Sequence, residues 1–317
     1  MMNASEQLRL LAKICRMYYL EDMTQLEIAR AIGISRSKVS RSLSQAREEG
    51  VVKISIIDAY SEEQQCENEL RRRFGLDDAS VVAVSGSEQM EIDRQMAAAI
   101  SVILEATLRD GDVIGVMAGY AVNGISEHIG YVRREGLRIV PLVGGLGSSG
   151  AKWQSDQTAQ NFAERLRCPY LKLNAPACVL SKEAHDALIR EPEIRGVLEL
   201  AESSAIAFVG IGQFSDSATI LQAGALHPRD VAELSEKGAV ASICGSFLDD
   251  QGQSVSASVS ERMISVDLNG LRQIPKVIAV ANGQKKVRAI TAALRSGVLN
   301  VLVTDLDTAK AILAFAG

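Results

Sequence analysis

The chain has 317 residues, 47% of them hydrophobic, and a formal net charge of −5. That is enough apolar material for a sizeable core and, by length, about two domains, while no uncharged apolar run is long enough for a membrane span. Cys15, Cys66, Cys168, Cys178 and Cys244, with His128, His185 and His227, are scattered without a C-x-x-C pair, which argues for reduced thiols in a cytoplasmic protein and against a metal site or any cofactor.

The opening MMNASEQLRLLAK lacks the charged and apolar regions of a signal peptide. Leu8, Leu11, Ile14, Cys15 and Tyr18 recur at helical spacing over 5–20. Thr24 with Glu27 three residues on is the capping-box pattern. Leu26, Ile28, Ala29 and Ile32 then make a short second helix, which Gly33 can end in a left-handed conformation. Ser35 is placed to cap a third helix that runs to about Glu49. VVKISIID (51–58) alternates like a strand, and SEEQQCENELRRRFG (61–75) reads as a polar linker helix suited to pairing with a second subunit.

From Ala79 the texture changes. Short apolar runs alternate with helical stretches: VVAV then 88–109, VIGV then 120–129, LRIVPLV then 153–167, then YLKL. Further on come AIAFVGIG, AVASI, KVIAVANG with a helix over 284–296, and VLNVLVTD with a final helix from 305. This alternation predicts a parallel sheet covered by helices on both faces. The expected fold class is α/β: an all-α N-terminal domain over 1–58, a linker helix over 59–77, and a Rossmann-like α/β domain with a mainly parallel sheet over 78–317.

Charge separates the same parts. Residues 1–58 carry nine Lys/Arg and seven Asp/Glu, about +2, so the remainder is −7 and a nucleic-acid reading belongs to the N-terminus alone. Between Ser35 and Arg47 there is no acid. Small Ala29, then Gly33 four residues later, and apolar Ile28, Ile32, Ile34 and Val39 match a helix-turn-helix in register. Arg36, Ser37, Lys38, Ser40 and Arg41 then lie on the exposed face of the second helix near its start, with Thr24 and Gln25 opening the first and Ser35 at the cap. These are donors suited to guanine edges or phosphates of double-stranded DNA. An ordinary helical hairpin with a solvated basic face is the alternative. Ser42 stands where an apolar residue is commoner, with Leu43 beside it to take the packing.

The order YYLEDMTQLEIARAIGISRSKVSRSL, GDVIGV, PLVGGLG, FVGIG and LVTDLDTA resembles the SorC family of bacterial sugar-responsive transcriptional regulators over nearly the whole chain. The resemblance implies an effector domain similar to phosphosugar isomerases and deaminases, a homo-oligomer (dimer or tetramer), and a sugar, polyol or sugar-phosphate effector that controls operator binding. The residues suit such a site. Glycine loops close three strands: Gly119 after VIGVMA, Gly144, Gly145 and Gly147 after LRIVPLV, and Gly210 and Gly212 after AIAF. Ligands of open α/β sheets bind beyond the carboxyl ends of strands, where glycine lets the backbone approach. Any one loop alone reads as a tight turn; three at one sheet edge read as a site.

Lys286 opens a helix, where a cation is disfavoured unless an anion is present; the resemblance implies that Lys286 contacts an effector phosphate. Asp156 and Gln157, near a helix start, suit effector hydroxyls or simple capping. Three departures from the family pattern stand out. Ala241-Ser242 replaces Gly-Asp, Val143 replaces a lysine able to form an imine, and Tyr120-Ala121 replaces a Thr or Ser that donates to phosphate. Covalent capture at 143 is therefore excluded, and a polyol or non-phosphorylated ligand becomes an alternative. A phosphosugar isomerase or deaminase fused to a DNA-binding domain is the competing function. It needs a paired acid and base over the substrate, which these histidines and Ser242 do not supply. The expectation is a non-enzymatic regulator with no membrane partner.

Overall fold

The computed structural model describes residues 4–52, 61–84, 88–146, 155–214 and 226–316. The chain forms two compact units, Met1–Asp58 and Ala59–Gly317.

The first unit packs α1 (Ala4–Tyr19), α2 (Gln25–Ile32) and α3 (Arg36–Glu48) around Leu11, Ile14, Ile28, Val39, Leu43 and Ala46. Its turns follow from local chemistry. Thr24 Oγ1 accepts from Glu27 N at 3.3 Å while Thr24 N donates to Glu27 Oε2 at 2.8 Å, so both members of the capping box are made. Gly33 takes φ +76°, open to glycine at little cost, and ends α2. Ser35 Oγ accepts from Lys38 N at 3.2 Å and starts α3. Ser42 is buried beside Leu43, so the serine does enter the small core. The strand expected over 51–58 lies outside the described residues beyond Val52.

The second unit begins with α4 (Glu62–Phe74) and β1 (Asp78–Val82), followed by α5 (Gln89–Thr107), β2 (Val113–Val116), α6 (Tyr120–Ser126), β3 (Arg138–Pro141) and α7 (Ser155–Leu166). Then come α8 (Lys182–Leu188), α9 (Pro192–Glu202), β4 (Ile206–Gly210), β5 (Gly212–Gln213), α10 (Pro228–Glu236), β6 (Ala241–Ile243) and β7 (Ser246–Leu248). The chain closes with α11 (Leu268–Gln273), β8 (Lys276–Val280), α12 (Val287–Arg295), β9 (Val301–Asp305) and α13 (Leu306–Phe315). Six strands make one sheet in the order β1-β9-β8-β4-β2-β3, every pairing parallel.

Strands such as VIGV and IAFVG are buried at every position, as a parallel sheet with both faces covered requires. Alternate residues point to opposite layers. Ile114, Val116, Ile206, Phe208, Ile278 and Val280 meet α5, α6 and α7. Ala207, Val209, Val277, Ala279 and Leu302 meet Leu70 of α4, Ile290 of α12 and Ile312 of α13. From β2 the chain goes outward to β3 and then returns to β4 on the other side of β2. The β2–β4 crevice is therefore a topological switch point, the usual ligand position in open α/β sheets.

Two elements depart from the sequence reading. AVASI does not join the parallel sheet; β6 pairs antiparallel with β5 and β7 in a separate three-stranded sheet. The cause is the turn at Cys244-Gly245, with φ +46° and +75°, which reverses the chain in two residues. YLKL makes a single bridge, Tyr170 to Ile139, rather than a strand. A buried ion pair ties down α10: Arg262 Nη2 lies 2.5 Å from Asp230 Oδ1, with exposures of 7% and 0%.

Candidate effector site and nucleic-acid interface

In the first unit Arg36, Ser37, Lys38, Ser40 and Arg41 are all exposed, while Val39 between them is buried. The helical period thus turns every polar donor of the stretch outward. Arg41 Nε donates to Ser37 O at 3.4 Å, and Ser35 Oγ shares a hydrogen bond with Ser37 Oγ at 3.0 Å. Among the described residues no carboxylate pairs with Arg36, Lys38 or Arg41, so their charges are available to phosphates. Thr24, Gln25 and Arg36 line one open groove with Tyr18, Tyr19 and Asp22. The tyrosines and Asp22 belong to the YYLEDM stretch, and their place beside Thr24 and Arg36 has no signal in the helix-turn-helix spacing.

In the second unit a cavity of about 110 Å³ opens at the β2–β4 switch point. A bound water takes roughly 10–15 Å³ of such space, so it accepts a small molecule. Gly119, Tyr120, Ala121, Gly210, Gly212, Ser242 and Lys286 line it, drawn together from the ends of β2, β4, β5 and β6 and the start of α12. Gly119 has φ +153° where β2 turns into α6, and Gly212 lies directly against the Ser242 hydroxyl. The Ser242 and Lys286 side chains have no hydrogen-bond partner among the described residues, and no Asp or Glu is part of the described wall. Lys286 is half-buried, and burial pulls its ammonium below the usual lysine value. A cation held at a desolvation cost on the wall of a cavity is chemistry for an anion.

Among the described residues, Gly144, Gly145, Asp156 and Gln157 are not part of the cavity wall. Gly144 and Gly145 are stitched to a neighbouring segment: Gly144 N donates to Ile264 O at 3.0 Å, and Gly145 N to Ala175 O at 2.9 Å. A Cβ on Gly144 would meet Ala175 O and Pro176 at 2.6 Å, so this glycine admits another backbone rather than a ligand. Gly147 lies outside the described residues. Asp156 and Gln157 are exposed on α7, with Gln157 Nε2 donating to Asn161 Oδ1 at 2.9 Å. It is Ser155 that turns inward, donating to Val143 O at 2.9 Å and Gly144 O at 3.1 Å. The sequence reading missed Met117, Leu146, Ile211, Gln213 and Met263, all lining the cavity. Met263 arrives through a bridge to Cys178, a contact with no local sequence signal.

A helix-turn-helix unit with a free basic face, joined to an α/β unit with a cavity at its switch point, is the build of an effector-controlled DNA-binding transcriptional regulator. Comparison with known proteins agrees. The family model described as "Putative sugar-binding domain" matches residues 58–314, and "Sigma-70, region 4" matches residues 12–49. The transcriptional regulator LsrR of Enterobacter sp. (strain 638) is 33% identical over 97% of this chain and 94% of its own length. The sorbitol operon regulator of Klebsiella pneumoniae is 30% identical over 98% of this chain and 100% of its own. The deoxyribonucleoside regulator of Bacillus subtilis (strain 168) is 30% identical, covering 97% and 98%. The crystal structure of full-length SorC from Klebsiella pneumoniae superposes with a TM-score of 0.79 at 29% identity, covering 96% of this chain and 98% of that one. The chain belongs to the SorC family of bacterial transcriptional regulators.

Proposed function

We propose that this regulator reads duplex operator DNA through Arg36, Ser37, Lys38, Ser40 and Arg41, with Thr24, Gln25 and Ser35 positioning the backbone. Its effector is a small phosphorylated sugar derivative bound in the switch-point cavity, its anionic group on Lys286 and a hydroxyl on Ser242. The observation that carries this reading is the unpartnered, half-buried Lys286 ammonium on a wall without described carboxylates. It favours an anion over a neutral polyol despite Tyr120-Ala121 and Ser242, the departures from the Thr or Ser and the Asp that the family resemblance implies. The regulator reading is also preferred to an isomerase: no Asp, Glu or His lines the described wall, and proton transfer needs such a pair.

A thermal-shift screen of polyols, free sugars, sugar phosphates and inorganic phosphate tests the effector class. A ligand that binds only the folded state raises the melting temperature, its stabilisation growing with the logarithm of ligand concentration above Kd. Stabilisation by phosphate esters is expected; stabilisation by polyols alone would replace the anion reading. Arg41→Ala should weaken operator binding by roughly 1–3 kcal/mol if Arg41 reads a base edge. Unchanged affinity in Arg36→Ala, Lys38→Ala and Arg41→Ala alike, by fluorescence anisotropy, would remove α3 as the reading helix.

The protein acts in the cytoplasm as a homo-oligomer, dimer or tetramer, since paired recognition helices are needed to span two half-sites. Sedimentation of a strictly monomeric species, with and without operator, would refute the assembly.

A further inference from the structure

The turn that carries Lys286 is fastened to α13 rather than to the sheet alone. Gly283, at φ +105°, donates its N–H to Thr308 Oγ1 at 2.8 Å, and Gln284 Nε2 donates to Asp307 O at 3.1 Å. Lys286 N closes the turn on Gly283 O at 2.9 Å. Thr308 is 1% exposed, and its hydroxyl donates in turn to Asp305 Oδ2 at 2.6 Å. A buried hydroxyl with both roles used has one geometry, so a shift of the turn displaces the first turn of α13 or breaks a buried hydrogen bond.

The other end of α13 is fastened to α4. Arg73 donates to Leu313 O at 2.9 Å and to Ala316 O at 2.6 Å, carbonyls at the helix end that lack helical partners. Lys310 pairs with Glu62 at 2.8 Å, so α4 is held near both its ends. Between them Ala309 and Ile312 share one buried cluster with Cys66 and Leu70. In chain order α4 is the first described element after the DNA-binding unit.

We propose that α13 carries occupation of the Lys286 cavity to α4, with Thr308 as the positioning residue that joins the Gly283 turn to the helix. The proposal rests on the anion reading of that cavity. Coupling requires an element whose equilibrium both ends bias, and α13 is fastened at both of its ends. Amide hydrogen exchange of the full chain, with and without saturating inorganic phosphate, supplies the test, because exchange reports local opening segment by segment.

In the wild type, phosphate should slow exchange over 286–290 and also over 306–315 and 62–74, on the order of fivefold, the lower end of usual coupling. Thr308→Val should keep the first effect and lose the other two; Thr308→Ser, which keeps the hydroxyl, should restore them. Arg73→Ala, an exposed side chain whose loss leaves the core intact, should keep the effects at 286–290 and 306–315 and lose that at 62–74. Protection confined to 286–290 in the wild type, or full spread in both Thr308→Val and Arg73→Ala, overturns the proposal while sparing the cavity. No protection at 286–290 removes the anion reading and the proposal with it.

Discussion

Arg262→Ala should destabilise the larger unit by about 3–5 kcal/mol, the cost of stranding one partner of a buried ion pair. Asp230 is fully buried, and its carboxylate is held by Arg262 Nη2 at 2.5 Å and His227 N at 3.0 Å. The same guanidinium donates to Val179 O at 3.0 Å and Ser258 O at 3.3 Å, so its loss also removes a donor that ties two separate segments together. The exposed Arg229, 3.8 Å from Asp230, is too solvated to replace it. Urea unfolding followed by circular dichroism should show the midpoint falling steeply.

Lys237→Ala is the control. That pair, Lys237 Nζ to Glu233 Oε1 at 2.8 Å, holds the Glu233 carboxyl down to about 2, helped by Ser258. It lies in solvent, where such pairs contribute little to stability, so the midpoint should barely move. Equal losses in the two variants would mean that burial at Asp230 is not what makes its pair matter.

What the sequence disclosed was what local chemistry decides. Thr24, Glu27, Gly33 and Ser35 each act within three or four residues of themselves, so the helix-turn-helix could be read from spacing alone. VIGV and IAFVG announced a doubly covered sheet because no polar residue interrupts them. Gly144 and Gly210 show where such reading stops. Both end apolar runs, yet Gly210 borders a cavity while Gly144 admits Pro176, and only the path of a distant segment separates the cases. The hairpin β6–β7 was hidden for a related reason. Its turn is Cys-Gly, with a cysteine in the left-handed region, rather than the Asn-Gly or Asp-Gly that signals such turns. Met263 reaches the cavity by a pairing across 85 positions of chain, to Cys178, and no periodicity records that.

Lys286→Ala should cost roughly 1.5–3 kcal/mol of effector affinity, about tenfold to a hundredfold, as the loss of a charge-assisted hydrogen bond. Operator binding without effector should be unchanged, because Lys286 belongs to the other unit. The pH dependence identifies the group. Burial lowers the Lys286 pKa in the free protein, and a bound anion raises it again by favouring the charged form. Between the free and bound values the complex holds a proton that the free protein has released. Affinity therefore falls as pH rises through that window, and binding takes up a proton there. Titration calorimetry in buffers of differing ionisation enthalpy measures this uptake directly. The alanine variant should lose both the uptake and the pH slope. A phosphate ester that binds wild type and Lys286→Ala equally, with no proton uptake in either, would show that its charge rests elsewhere. Lys286 would then be a lysine buried without a task, and the regulator reading, which stands on the fold and the family, would be untouched.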